Sequence, residues 1–308
     1  MNANTSRRPA QLRPLFGYIA VVGMLPYLLL KLFWIAGVEI GVTEPGVMTT
    51  ALMRGANSFT AFMELVAIVV VLLLTRERGL RVPAWLIVFP MWVGTGLLAP
   101  IVLSAPIIGT DFVTAGSANG ALELWVTPVV YASFAWQGVA LLTAFVLYAR
   151  VRWPQAFGGT GRAGGIGAIG VIGSLLALFV AGVELWNAFT GDLRLGVVAI
   201  GIVEGVLALA AVVSVVLLGT SGGYWLTSVL LWTGSATLFS SGFWGGFGMS
   251  TNVGDTEVFD WAVVAAGCLA GLLLAFTFLS RVATGSRELR DSRDDHTATS
   301  ARSLPHAL

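Results

Sequence analysis

The chain has 308 residues, of which 56% are hydrophobic and 11% charged, and its formal net charge is +1. Soluble domains carry about 25% charged residues, and the mean hydropathy here is +0.86. The composition excludes an ordinary soluble domain and is typical of a chain that lies in lipid.

Eight apolar runs follow one another along the chain, each close to the roughly 20 residues that a helix needs to cross a bilayer. They lie near residues 16–36, 51–74, 84–104, 126–148, 166–186, 197–218, 223–243 and 261–281. The first run is longer than the apolar region of a secretory signal peptide and no small-residue cleavage site follows it, so we expect it to remain in the mature protein. The sequence predicts an all-α bundle of eight transmembrane helices.

The first predicted helix carries Lys31, the only lysine of the chain. An ammonium group at this depth must find a carboxylate or extend towards water. Glu39, Glu123 and Glu184 lie at neighbouring helix ends and are the candidate partners. A structural ion pair is the simplest interpretation, and a role in substrate binding is the alternative.

The second predicted helix places Arg54, Asn57 and Glu64 on one face, because their spacings of three and seven are close to the helical period. Glu64 precedes Arg76 by about twelve residues, which puts it about 18 Å from the cytoplasmic edge and near the bilayer midplane. A charge within a span costs about 2.5 kcal/mol or more, which makes Glu64 a candidate functional residue. The alternative is a structural carboxyl group hydrogen-bonded to a neighbouring helix.

Two tryptophans on the third predicted helix, Trp85 and Trp92, are seven residues apart, and Trp225 and Trp232 repeat this spacing on the seventh. Trp85 and Trp225 lie where interfacial tryptophans are usual. Trp92 and Trp232 lie about 10 Å deeper, which is outside such a belt. They predict either helix packing or the aromatic wall of a cleft.

The remaining segments divide the chain. The sequence predicts two four-helix halves, at residues 1–150 and 166–284. A glycine-rich cytoplasmic join at residues 151–165 connects them, and a disordered cytoplasmic tail follows at residues 285–308.

The two halves resemble one another, which predicts an internal duplication. An offset of 140 residues pairs Arg54 with Arg194, Glu64 with Glu204, Trp85 with Trp225, and Trp92 with Trp232. The segment AGVE recurs at 36–39 and 181–184, and FVLYARV at 145–151 resembles FTFLSRV at 276–282. Since each half has an even number of spans, both would insert in the same orientation about an axis along the membrane normal. Coincidence in a compositionally narrow sequence is the alternative.

Charges beside the spans predict the orientation. With eight alternating helices, these arginines fall on one side: Arg7, Arg8, Arg13, Arg76, Arg78, Arg81, Arg150, Arg152, Arg162, Arg281, Arg287, Arg290 and Arg293. The opposite loops hold Glu39, Glu44, Asp111, Glu123, Asp192, Asp255 and Glu257. We therefore expect both termini in the cytoplasm.

Several chemistries lack their residues. Cys268 is the only cysteine, which excludes an intramolecular disulfide, and the two histidines, His296 and His306, lie in the polar tail. We expect no metal site and no cofactor, since haem, copper and zinc sites that use histidine have no ligand in the membrane. Any reaction in the membrane must therefore use carboxylates, arginine, the lysine and aromatic rings.

A carboxylic acid held neutral in an apolar cavity can donate a proton, and aromatic faces beside it can stabilise a cation. Such a site would protonate an olefin or epoxide of a linear prenyl chain and guide ring closure. We assign Glu64, Glu204 and Arg54 as candidate catalytic residues, with Arg54 stabilising the carboxylate left behind. The candidate substrate-binding residues are Trp92, Trp232, Asn57, Lys31, Glu39 and Glu184.

The segments LPYLLLKLFWIAGVE at 25–39 and FMELVAIVVVLLLTR at 62–76 resemble small integral-membrane terpene cyclases, most of all the bacterial relatives in diketopiperazine-terpene and indole-terpenoid pathways. The resemblance implies a metal-independent isomerase of terpenoid biosynthesis in a bacterial cell membrane, working through membrane-embedded acids such as Glu64 and one acid of the second half. Its partners would be the lipid bilayer and a hydrophobic prenyl or terpenoid molecule, with no nucleic acid. Eight spans depart from the seven of fungal members.

Two other functions fit the same features. Parallel halves with paired midplane carboxylates would suit a proton-coupled carrier of a small hydrophobic or cationic solute. A non-catalytic membrane component, whose polar groups hold helices together, is the third.

Overall fold

Eight long α-helices and no β-strand make up the part of the chain that this computed structural model describes, which is residues 3–114, 121–154, 165–191, 194–220, 225–251 and 257–302. The helices are α1 Ala3–Ile35, α2 Ala51–Thr75, α3 Trp85–Thr114, α4 Val126–Arg152, α5 Ala168–Thr190, α6 Leu195–Thr220, α7 Trp225–Thr251 and α8 Val258–Arg302. Short 3-10 helices at Val47–Thr49 and Glu77–Arg81 flank α2. The prediction of an all-α bundle is confirmed.

Seven of these helices are long and apolar enough to cross a membrane, and the chain is an integral membrane protein. Large apolar side chains such as Phe62, Leu175 and Phe189 are mostly exposed on them, as expected of surfaces that face lipid rather than water. The remaining long helix, α7, is rich in serine, threonine and glycine, which lowers its hydropathy. It packs between α6 and α8 and also along α3.

The end of the third helix differs from the sequence-based expectation. The third helix was expected to end near residue 104, but α3 continues to Thr114 through three internal prolines, Pro90, Pro100 and Pro106. Within membranes, neighbouring helices can satisfy the backbone groups that a proline frees.

The end of the chain differs as well, because α8 continues to Arg302 where a disordered tail was expected from residue 285. No glycine or proline interrupts residues 286–302, and arginine and aspartate recur four residues apart, as at Arg287 and Asp291. Opposite charges at this spacing stabilise a helix. Residues 303–308 of the predicted tail, and residues 155–164 of the predicted glycine-rich join, lie outside the described residues.

The buried core falls into two main clusters. One is built from α1 to α4, with Met24, Leu74 and Tyr148 among its fully buried members. The other is built from α5 to α8, with Leu231 and Leu274 among its members. In both sets the first helix packs against the second and the fourth, so α1 contacts α2 and α4 while α5 contacts α6 and α8.

The helices α3 and α7 join the two clusters at a close crossing. A Cβ atom placed on Gly96 would lie 2.0 Å from the carbonyl oxygen of Ala236, so the two backbones nearly touch. Small residues permit such approaches between membrane helices. The indole nitrogen of Trp92 donates to Ser235 Oγ at 3.1 Å, and that of Trp232 donates to Thr95 Oγ1 at 3.2 Å. Buried polar contacts therefore hold the centre of the molecule.

Candidate functional site

A row of buried polar side chains lies between α1, α2 and α4. Asn57, Thr60 and Glu64 are buried on one face of α2, Lys31 lies on α1, and Gln137 is buried on α4. The predicted common face of Asn57 and Glu64 therefore points into the first half of the molecule. This arrangement avoids the cost of exposing polar groups to lipid.

The outer end of the row is built around the Lys31 ammonium. Its Nζ donates to Asn57 Oδ1 at 2.8 Å and lies 5.0 Å from the ring centre of Tyr27 and 4.9 Å from that of Trp34. The Trp34 ring is oriented by its own hydrogen bond, from Nε1 to the carbonyl of Ile40 at 2.9 Å. An amide oxygen and two aromatic faces thus hold the cation, which is a favourable setting for a positive charge away from water.

The inner end of the row is the carboxyl group of Glu64, whose side chain is 7% exposed. Gln137 is hydrogen-bonded to this carboxyl group, and Tyr27 is hydrogen-bonded to Thr60 one turn away on α2. The other carboxyl oxygen, Oε1, is buried without a hydrogen-bond partner among the described residues. An unsatisfied buried polar atom in a native structure calls for an explanation, and a catalytic or binding role is one of the usual ones.

The second half holds a different site, a cavity of about 90 Å³ between α5, α6, α7 and α8. Glu184 and Glu204 both line it, and Ser241 Oγ donates to Glu204 Oε1 at 2.7 Å. Thr237 lines the same cavity. The two predicted acids of the second half are therefore brought together.

Arg54 and Glu39 lie at the outer rim instead of beside the buried acid. Arg54 is exposed, and its guanidinium would lie 3.6 Å from a Cβ atom placed on Gly37. Glu39 accepts hydrogen bonds from the backbone nitrogen of Gly46 at 2.8 and 3.1 Å. Ten residues of helix, about 15 Å, separate Arg54 from Glu64. The donor at the Glu64 carboxyl is therefore Gln137, and not Arg54 as expected.

Lys31 is also placed differently from the expected ion pair. Its neighbours are Asn57 and two rings, whereas each of the three candidate carboxylates has other surroundings. Glu39 binds Gly46 as described above, Glu123 accepts from Trp125 Nε1 at 2.5 Å, and Glu184 lines the cavity. Hydrogen bonding and ring contacts take the place of charge pairing at this residue.

Trp92 and Trp232 lie at the contact between α3 and α7. Trp92 is buried, with its ring centre 4.9 Å from that of Phe239, and the Trp232 ring stacks on Phe145 at 5.6 Å. Helix packing, one of the two interpretations of these residues, describes their contacts. The aromatic faces nearest the polar row belong to Tyr27 and Trp34.

Sequence reasoning missed Tyr27, Trp34, Gln137, Thr237 and Ser241. The amide of Gln137 could have been found by the rule that selected Glu64, since polar groups within spans are costly. Tyr27 and Trp34 lie one turn on either side of Lys31, which is also visible in the sequence. Thr237 and Ser241 carry no such signal, because hydroxyl groups in membrane helices commonly bond to their own backbone.

No protein-family model, curated protein or solved structure matches this chain.

Proposed function

We propose that this protein is a membrane-embedded terpene cyclase that protonates an olefin or epoxide of a linear prenyl substrate and guides the resulting cation through ring closure. The observation that carries the proposal is the Glu64 carboxyl group, which is buried within the polar row, is hydrogen-bonded to Gln137 and has one oxygen, Oε1, without a partner among the described residues. A neutral acid in that position can donate its proton to a hydrocarbon, which does not form hydrogen bonds with the carboxyl group.

The rest of the row supports a direction for the substrate. Lys31 and Asn57 would bind its polar end near the outer side of the membrane, and Glu64 would meet the reacting double bond or epoxide about 10 Å further in, seven residues along α2. The faces of Tyr27 and Trp34 are already directed at a positive charge, that of Lys31. The same faces would stabilise positive charge developing in the substrate.

The reaction balances without a cofactor. Glu64 gives a proton to the substrate, new carbon–carbon bonds form as the cation migrates, and loss of a proton from the cyclised cation restores the acid. The product is an isomer of the substrate, so its mass is unchanged.

Expression in a host supplied with linear prenylated compounds tests this proposal. We expect mass spectrometry to detect new isomers of unchanged mass and altered retention, absent from the host with an empty vector. If no linear prenyl compound is converted while the purified protein is folded, the cyclase proposal fails. Uptake of the added compound without conversion would instead favour the carrier described below.

We also propose that the fold is a duplication of four helices, giving eight spans in two parallel halves. At the offset of 140, Trp92 pairs with Trp232, Thr95 with Ser235 and Gly96 with Ala236. The two indole hydrogen bonds between α3 and α7 are then one bond and its symmetric copy, and Gly96 contacts its own equivalent. Reciprocal contacts of this kind are what a two-fold axis produces.

The two core clusters support the same division into halves, but the contacts of α6 depart from a full two-fold symmetry. Each cluster draws on four consecutive helices. However, α3 packs closely on α6, whereas the equivalent pair, α2 and α7, touch much less. The symmetry we propose is therefore approximate.

We also propose that both termini lie in the cytoplasm, because eight alternating spans put the arginine-rich loops and ends on one side. We expect a single cysteine introduced at Ser303, in a protein whose native Cys268 is replaced by alanine, to be labelled by an impermeant thiol reagent only after the membrane is opened. A cysteine at Glu44, in the loop that precedes α2, is the matched position for labelling from outside. Labelling of the Ser303 position in intact cells would overturn the orientation.

A proton-coupled carrier is the second candidate function. The observation that favours it is the second carboxyl group within a membrane-spanning helix, Glu204, which pairs with Glu64 in the proposed duplication. Carriers with parallel repeats bind their solutes near the midplane between the halves.

A further inference from the structure

The cavity of the second half places two carboxyl groups together without a basic neighbour. Glu184 on α5 and Glu204 on α6 both line it. None of the residues that line the cavity, all within the described part of the chain, is basic. Two carboxylates in an apolar interior cannot both be ionised without a compensating positive charge.

A second observation points to a ligand. Thr237 is 1% exposed, lines the cavity, and its Oγ1 has no hydrogen-bond partner among the described residues. Some buried helix hydroxyls in this chain bond to the carbonyl four residues earlier, as Ser214 does to Ala210 at 2.7 Å. Thr237 does not make this usual bond, so its hydroxyl group, in the wall of the cavity, has no partner among the described residues.

The cavity is small and deeply placed. At about 90 Å³, it is smaller than the cavity of roughly 150 Å³ that holds benzene in another protein, and it has room for a small ion with its waters. Two glycines, Gly242 and Gly267, line the cavity. A Cβ atom on Gly242 would lie 2.8 Å from the carbonyl oxygen of Val264, so α7 and α8 approach closely beside it. Glu184 lies about 9 Å and Glu204 about 14 Å along their helices from the outer ends.

The donor set identifies the class of ligand. Two carboxyl groups and the hydroxyls of Thr237 and Ser241 offer hard oxygen ligands, which suit a hard cation. Ca²⁺ takes about six to eight oxygens and Mg²⁺ retains several waters in rigid geometry, whereas zinc favours nitrogen and sulfur. A monovalent cation beside one ionised and one protonated carboxyl group leaves the cavity neutral.

We propose that the cavity formed by Glu184, Glu204, Thr237 and Ser241 binds one Na⁺ ion, which ties α5 and α6 to α7. The inference concerns the second half alone and does not depend on the cyclase proposal. Its tests measure ion binding and stability rather than turnover.

The test is the melting temperature of the purified full-length protein in NaCl against choline chloride at equal ionic strength and pH. A ligand that binds only the folded state at about one hundred times its dissociation constant is expected to raise the melting temperature of a chain of 308 residues by about 4 °C. Equal melting temperatures in the two salts would overturn the proposal. Binding of radioactive ²²Na⁺ should reach one ion per chain, and its absence would likewise overturn it.

Variants locate the ion. Thr237→Val keeps the shape of the side chain and removes only the hydroxyl, and we expect it to weaken Na⁺ binding at least tenfold, as should Glu204→Gln. The matched control is Ser174→Ala, which removes another buried hydroxyl without a partner among the described residues that does not line the cavity; it should retain the full Na⁺ response. An unchanged Na⁺ response in both Thr237→Val and Glu204→Gln would show that the ion binds elsewhere and would refute the site.

Discussion

Replacing Glu64 by Gln is expected to lower the turnover of a linear prenyl substrate by about 10²- to 10⁴-fold, which is the usual contribution of a general acid. The amide keeps the shape of the side chain and its ability to pair with Gln137, and it removes only the transferable proton. A carboxyl group with a structural role should tolerate this change far better than a catalytic one. The measurement is turnover by the purified variant at matched amounts of folded protein.

The equivalent variant of the second half, Glu204→Gln, is the internal comparison. Glu204 is hydrogen-bonded to Ser241 and lies in the second half, apart from the row of Lys31, Asn57 and Glu64, so we expect a much smaller loss of turnover. Unchanged turnover in Glu64→Gln would remove the role that we assign to this residue. Loss of folding in both variants would assign both carboxyl groups to the structural role.

Replacing Gly96 by Ala is expected to destabilise the molecule by about 3 kcal/mol, which is at the upper end of the usual cost of overpacking. The added Cβ atom would lie 2.0 Å from the carbonyl oxygen of Ala236 and 2.4 Å from Ser240 Oγ. Because one of these is backbone, α3 and α7 must move apart. That movement would also break the hydrogen bonds of Trp92 and Trp232, the polar contacts between the two core clusters.

The matched control, Gly94→Ala, lies two residues away on the same helix. A Cβ atom on Gly94 would have no other atom within 4 Å, and alanine favours a helix over glycine by about 1 kcal/mol. Thermal unfolding in detergent should therefore show a lower melting temperature for Gly96→Ala and an equal or higher one for Gly94→Ala. Equal melting temperatures for the two variants would contradict the close crossing.

The helical class and most helix positions could be predicted from the sequence, because the cost of leaving backbone groups unpaired in lipid allows few other structures. The interior face of α2 was also predictable, since Asn57 and Glu64 share it by spacing alone. The positions of the helix ends were harder to predict. The prolines of α3 favour a helix boundary in soluble proteins, and the polar composition after residue 285 predicted disorder, but the helices continue through both segments.

The site could be predicted only where one side chain was costly by itself. Glu64, Glu204 and Lys31 were found because a charge in a span needs a partner. The identity of the partner depends on how helices face one another, which spacing along one helix does not contain. The sequence therefore predicted carboxylate partners for Lys31, whereas in the structure its ammonium group contacts Asn57 and two aromatic rings.

The polar composition of α7 bears on how the protein is made. A segment this rich in serine, threonine and glycine gains little by entering lipid alone. Its hydroxyl groups find partners on helices that leave the ribosome earlier, since Ser240 donates to the backbone of Val93 on α3 and Ser241 donates to Glu204 on α6. Order of synthesis thus becomes part of the folding mechanism, because α3 and α6 are already in place as an acceptor when α7 emerges.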